Sequence, residues 1–138
     1  MIKQKLALLG LILFLCLGVS GCKNDKAMIL LNHRPITKET ILDNSKVFVV
    51  GRRIYYILLL KKPLTSEFIR VQVLKKDEKT TVAGVKIQYA EDFRLYKDQV
   101  YYYNDYVVIH EPGYYILQIF SKDKMDKPLA ISDFYVRN

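Results

Sequence analysis

The side chains able to carry chemistry are few, and their spacing suits little of it. There are two histidines, His33 and His110. Neither has a second ligand-type residue at metal spacing. His110-Glu111 is an acid and a base side by side, but adjacent residues on a strand point to opposite faces. This pair also runs into Pro112-Gly113, which is turn chemistry. The carboxylate pairs Asp77-Glu78 and Glu91-Asp92 lack the alternating oxygen ligands and the turn glycine of a calcium loop. Beyond the first 21 residues no serine sits in a Gly-x-Ser-x-Gly elbow, and no glycine-rich phosphate loop occurs. Two groups stand out instead. One is Cys22, preceded by Val19-Ser20-Gly21. There, small residues let a peptidase reach the backbone and a thiol offers itself for alkylation. The other is a tyrosine cluster, Tyr101-Tyr102-Tyr103 and Tyr106, with the adjacent basic pair Arg52-Arg53 elsewhere in the chain.

The first 22 residues explain Cys22. Met1 to Lys5 is short and basic, Leu6 to Leu17 is an uncharged apolar run, and Gly18 to Gly21 is small. Positive, apolar and small, in that order, is the layout of an export signal. The apolar run is shorter than the roughly 20 residues that a membrane span requires. Val19-Ser20-Gly21-Cys22 resembles the lipobox of bacterial lipoproteins, with Val19 where the family more often has Leu. The resemblance implies cleavage before Cys22, a diacylglycerol on its sulfur and further acyl lipid such as palmitate. It implies a protein exported and held on a bacterial membrane. Lys23 follows the cysteine where an aspartate would retain the protein at the inner membrane. In a two-membrane cell this points to the outer membrane.

Cleavage leaves no second thiol, because Cys16 lies in the segment removed. A disulfide framework, cysteine-ligated zinc and thiol catalysis are thereby excluded. The expected organisation is a signal peptide over 1–21, a lipidated tether over 22–26 and one domain over 27–138. Losing Lys3 and Lys5 takes Lys+Arg from 22 to 20 against 14 Asp+Glu, so the balance falls from +8 to +6. Such a balance is first of all that of a soluble, moderately basic surface, and it also suits contact with anionic headgroups. Export argues against nucleic acid as a partner.

The domain must form from strands. Phe68 to Leu74 alternates with period two, placing Ile69, Val71 and Val73 inward. Ile54 to Leu60 is apolar on both parities, which predicts a central strand covered on both faces. Lys61-Lys62-Pro63 ends it. Further strands are expected at 27–31, 46–50, 82–89, 99–103, 106–109, 114–120 and 129–136. Asn104-Asp105 reads as a turn, Lys75 to Lys79 as a hairpin loop, and Thr37 to Asp43 as one helical turn capped by Thr37. Short strands at this spacing predict an all-β sandwich.

Glu111 to Val136 adds a second resemblance. A Pro-Gly turn, a tyrosine-rich strand, a polar loop and a last strand look like the closing hairpin of immunoglobulin-like sandwiches. The resemblance implies a single antiparallel immunoglobulin-like β-sandwich of about seven to nine strands. It also implies that Tyr115 is a structural tyrosine corner, its hydroxyl bonded to upstream backbone.

No cofactor or metal is expected apart from the lipid on Cys22, and no enzyme activity. The tyrosines serve either cross-strand packing or a binding surface, where they give large contact area at low entropy cost. On the second use, Tyr101, Tyr103 and Tyr106 with Arg52 and Arg53 are the candidate partner-binding residues. The function that follows is a membrane-anchored, non-enzymatic binding or scaffold module for another envelope protein. The alternatives are an inhibitor or chaperone-like regulator of an envelope enzyme, and a lipid-binding carrier that would need a splayed core.

Overall fold

A computed structural model describes residues 27–76 and 84–138. Cys22, the leader and the tether lie outside the described residues, as do Asp77 to Lys79. Eight strands follow in chain order: β1 (Met28–Asn32), β2 (Val47–Val49), β3 (Arg53–Leu59), β4 (Phe68–Lys76), β5 (Val85–Arg94), β6 (Tyr102–Val108), β7 (Gly113–Ser121) and β8 (Ala130–Arg137). They form a three-stranded sheet, β1-β3-β6, and a five-stranded sheet, β2-β8-β7-β4-β5. This is an all-β, immunoglobulin-like sandwich.

Period-two alternation builds the core. Ile69, Val71 and Val73 of β4, Tyr115, Leu117 and Ile119 of β7, and Phe134 and Val136 of β8 all point inward and are buried. Ile29 and Leu31 of β1 and Ile54, Tyr56 and Leu58 of β3 meet them from the other sheet. Phe48 of the short β2 packs edge-on against Phe134, with ring centroids 5.9 Å apart.

Four expectations need correction. The pairing is antiparallel throughout except that β2 runs parallel to β8, with Phe48 opposite Val136. The chain leaves β1 after Asn32, loops back over 33–46 and joins the second sheet in its original direction, which is also that of β8. Asn104-Asp105 is no turn: β6 runs unbroken through both, paired to Ile57 and Tyr56 of β3. Lys75 and Lys76 belong to β4, opposite Lys86 and Val85. Thr37 to Asp43 forms turns rather than a helix. The Ile41 N–H bonds the Thr37 carbonyl, but the Thr37 N–H is taken by the Thr40 hydroxyl at 2.8 Å. The Thr37–Thr40 contact closes the start of this one turn, but the next bond, Asp43 N–H to the Thr40 carbonyl, spans three residues, so no helix propagates.

The same 33–46 segment finishes the β1 edge. Ser45 N–H bonds the Leu31 carbonyl and Asn44 Oδ1 accepts the Leu31 N–H, 3.1 Å away. These bonds take both edge groups of Leu31 and so shorten the ladder that β1 offers another chain. At the opposite sheet, Gly113 opens β7 with φ of 148°, and an added Cβ there would meet Lys75 Cε at 3.1 Å. Both facts favour glycine after Pro112.

Candidate functional site

Strand β3 carries apolar residues on both parities, but only one parity enters the core. Ile54, Tyr56 and Leu58 face inward, while Tyr55, Ile57 and Leu59 face away from the second sheet. The expected cover on both faces is therefore absent among the described residues: no other strand packs over this side. Register extends the apolar surface across the sheet. Leu59 lies between Met28 and Tyr102, Ile57 between Leu30 and Asn104, and Tyr55 between Asn32 and Tyr106. Met28, Tyr102 and Tyr106 are exposed, whereas Leu30, Tyr55 and Leu59 are half-buried. Ile57, at the centre, is closed in by these neighbours to 8% exposure.

One end of this face is basic. Arg53, the only charged residue that β1, β3 and β6 present there, holds its guanidinium 4.4 Å above the Tyr106 ring. Tyr55 and Tyr106 sit side by side with centroids 5.8 Å apart. The guanidinium is attracted to the face of the ring, which keeps both groups oriented. Tyrosine and arginine around an apolar centre is the composition enriched in protein interfaces.

The expected site residues separate accordingly. Tyr106 and Arg53 meet on the outer face. Arg52 is exposed in the 50–52 turn, its N–H on the Val49 carbonyl at 3.3 Å, and is not part of the stack. Tyr101 lies before β6 in the connection at the end of the sandwich, exposed, with its carbonyl accepting the Leu60 N–H. Tyr103 is a correction. It faces inward at 6% exposure, packed on Tyr56 and Phe93 with centroids 6.2 and 5.7 Å away. Its hydroxyl donates to Asp105 Oδ2 at 3.0 Å. Burial first, and the nearby Asp105 carboxylate second, push this phenol well above its ordinary value. Tyr103 therefore fills the core where β5 leans over β6, and no partner can reach it.

Sequence reasoning missed Tyr55, Ile57, Leu59, Leu30, Met28 and Tyr102. The double apolar parity of residues 54–60 was their signal. It reads equally as burial on both sides or as one buried and one sticky face.

Tyr115 makes the bond its position implies: it is buried, and its hydroxyl donates to the Glu111 carbonyl four residues upstream, 2.7 Å away. Its ring stacks on Phe134 at 5.6 Å. His33 is a surface residue, in hydrogen-bond contact with the Ser45 hydroxyl at 3.0 Å and packed on Phe48. His110 is exposed beside a cleft of about 370 Å³ at the β5–β6 side. Gln88, Tyr89 and Val107 also line this cleft. No group of three or more His, Cys, Asp or Glu able to hold a metal occurs among the described residues.

No protein-family model matches this chain, and no curated protein matches it. Solved structures do resemble it. The soluble domain of PmoD from Methylocystis sp. ATCC 49242 (Rockwell) aligns with TM-score 0.50 and 11% identity, over 83% of this chain and 93% of that one. An immunoglobulin-like protein from Pseudomonas aeruginosa aligns with TM-score 0.48 and 13% identity, over 81% and 90%. At such identities the likeness concerns the fold alone. The sheet order itself is that of a two-sheet β-sandwich.

Proposed function

We propose that this chain is a lipid-anchored envelope lipoprotein. In this reading the signal peptide over 1–21 is removed, Cys22 carries the lipid and 22–26 is a short tether. The domain over 27–138 is a non-enzymatic module that binds another envelope protein through the outer face of β1-β3-β6. One observation carries the binding assignment: a contiguous apolar, tyrosine-bearing sheet face whose sole charge is Arg53. Large exposed apolar patches on small domains mark interaction sites. The partner it fits has an apolar patch of its own, with a carboxylate placed to meet Arg53 at one rim.

The packing speaks against the lipid-carrier alternative. Side chains from both sheets fill the interior, and Ile54, Leu58, Ile69, Val71, Val73, Leu117 and Ile119 show no exposure.

Two experiments test the proposal. Intact mass of the purified membrane form should show the chain beginning at Cys22 with added lipid; an uncut chain refutes the anchor. Crosslinked pull-down from solubilised envelopes should recover one envelope protein with the native form. That protein should be lost with Tyr55→Ser plus Tyr106→Ser and kept with Tyr114→Ser on the other sheet. Recovery that ignores the first pair refutes the binding face.

A further inference from the structure

The two ends of the sandwich differ. β1 begins at the same end where β3, β5 and β7 finish. Three connections gather at this proximal end, residues 60–67, 95–101 and 122–129, and they are tied together. Leu64 N–H bonds the Val100 carbonyl, Leu95 N–H bonds the Glu67 carbonyl, and the Thr65 hydroxyl donates to Asp123 Oδ2 at 2.6 Å. The platform is therefore built rather than loose. It displays Tyr96 at 76% exposure and Tyr101 at 51%, with Val100 and Met125 also exposed. Its three connections hold six lysines against four carboxylates, a net of +2. By contrast, the distal turns at 50–52 and 109–112 contain no tyrosine or phenylalanine, although this end is also basic, with Arg52, Lys75, Lys76, Lys86 and Arg137 there.

We infer that this proximal end docks on an anionic lipid surface, so that the domain stands on the membrane rather than swinging above it. The inference rests on the lipid-anchor reading. Five residues, Cys22 to Lys26, separate the anchor from Ala27. Fully extended, they reach at most about 17 Å, so the platform is held near the headgroups whatever path the tether takes. Tyrosines are enriched at that depth, their rings at headgroup level. Lysines near an anionic surface are attracted within a Debye length. Tether attachment, exposed tyrosines and a net positive charge at this end thus point to one occupant, an anionic bilayer. Docking at this end stands β1-β3-β6 upright, with Arg53 furthest from the membrane and the outer face open to a neighbour.

The test uses residues 27–138, which contain all eight strands and the whole core cluster, so that docking is measured without the anchor. The chain has no tryptophan, so Tyr101→Trp and Tyr114→Trp each install one reporter, proximal and distal. With vesicles of phosphatidylglycerol mixed with phosphatidylcholine, binding is expected about tenfold tighter than to phosphatidylcholine alone, and to weaken with salt. Brominated lipid should quench the reporter at 101 and spare that at 114. Lys97→Glu with Lys124→Glu should abolish the preference, and Lys38→Glu with Arg137→Glu should leave it. No preference for anionic vesicles, or equal quenching at both positions, overturns the inference. Neither outcome depends on whether Cys22 carries lipid, which the intact mass decides separately.

Discussion

The outward side of the five-stranded sheet interleaves paired charges with exposed apolar residues, Tyr114, Ile131, Phe68 and Val47 among them, while that of the three-stranded sheet carries Arg53 as its single charge. On the first, Arg70 and Asp92 face each other across β4 and β5 with Nε to Oδ1 at 2.8 Å, and Lys122 reaches Asp92 at 3.0 Å. Lys46 adds a contact to Asp133 at 3.6 Å. Gln72 and Gln118 are paired between them. On the second, Leu59, Ile57 and Tyr55 run down the centre with Met28, Leu30, Tyr102 and Tyr106 beside them, and Arg53 caps one end. Both faces belong to one sandwich, and both alternate with a buried parity. The difference teaches that alternation specifies only the inner face. The outer parity is left free to differ, and the two faces differ in how many charges are set among their apolar residues. Surface ion pairs add little stability, so their value on the first face is solubility and edge protection.

Neighbouring leucines of β3 give the largest test of the contrast. Leu58→Ala empties a fully buried site and should cost about 2–5 kcal/mol. Leu59→Ala, one residue along on the outer parity, should cost under about 1 kcal/mol. Urea midpoints of the two variants decide it. Equal losses would mean that something covers the outer face within the domain itself. Next in size is the effect on binding. Tyr106→Ala should weaken the captured partner about 30-fold, the loss of about 2 kcal/mol of a hot-spot tyrosine. Tyr114→Ala, exposed on the other sheet, should change it little. Titration with the purified partner measures both.

Smaller, and internal to the five-stranded sheet, is the tyrosine corner. Tyr115→Phe keeps the ring on Phe134 and removes the bond to the Glu111 carbonyl, so stability should fall by about 1 kcal/mol. An unchanged unfolding midpoint would deny the hydroxyl a structural role. The smallest effect is electrostatic. Hydrogen bonds from Arg70 first and Lys122 second hold Asp92 at about 2, below its ordinary 3.8. A group lowered in the folded state stabilises above its unfolded value and loses that contribution as pH falls through the folded one. The acid limb of stability should therefore drop between about pH 4 and pH 2. Asp92→Asn should flatten part of it, while Asn104→Ala on the other face leaves it alone.

Much of the fold was legible because burial imposes a period. Ile69, Val71, Val73, Tyr115, Leu117 and Ile119 are inward in the sequence pattern and in the structure. Pro63 marks the end of β3, and Glu111-Pro112-Gly113 marks the start of β7. The errors came where a local signal competes with a tertiary one. Asn104-Asp105 has turn chemistry, yet β3 supplies a full ladder that carries β6 through it. Tyr101, Tyr102 and Tyr103 are alike as residues. Only strand register puts Tyr103 inside, Tyr102 on the outer face and Tyr101 at the proximal platform. Arg53 and Tyr106 lie more than fifty positions apart, and no spacing rule joins them; pairing of Tyr55 with Tyr106 does.

The central claim, that the β1-β3-β6 face meets another envelope protein, is tested most directly by photo-crosslinking in intact envelopes. A benzophenone side chain would replace Tyr55 in one form of the protein and Tyr114 in another. The expected result is a discrete adduct from position 55, absent from position 114 and removed when Tyr106→Ala is added. An adduct from position 114 alone, or the same products from both, would contradict it.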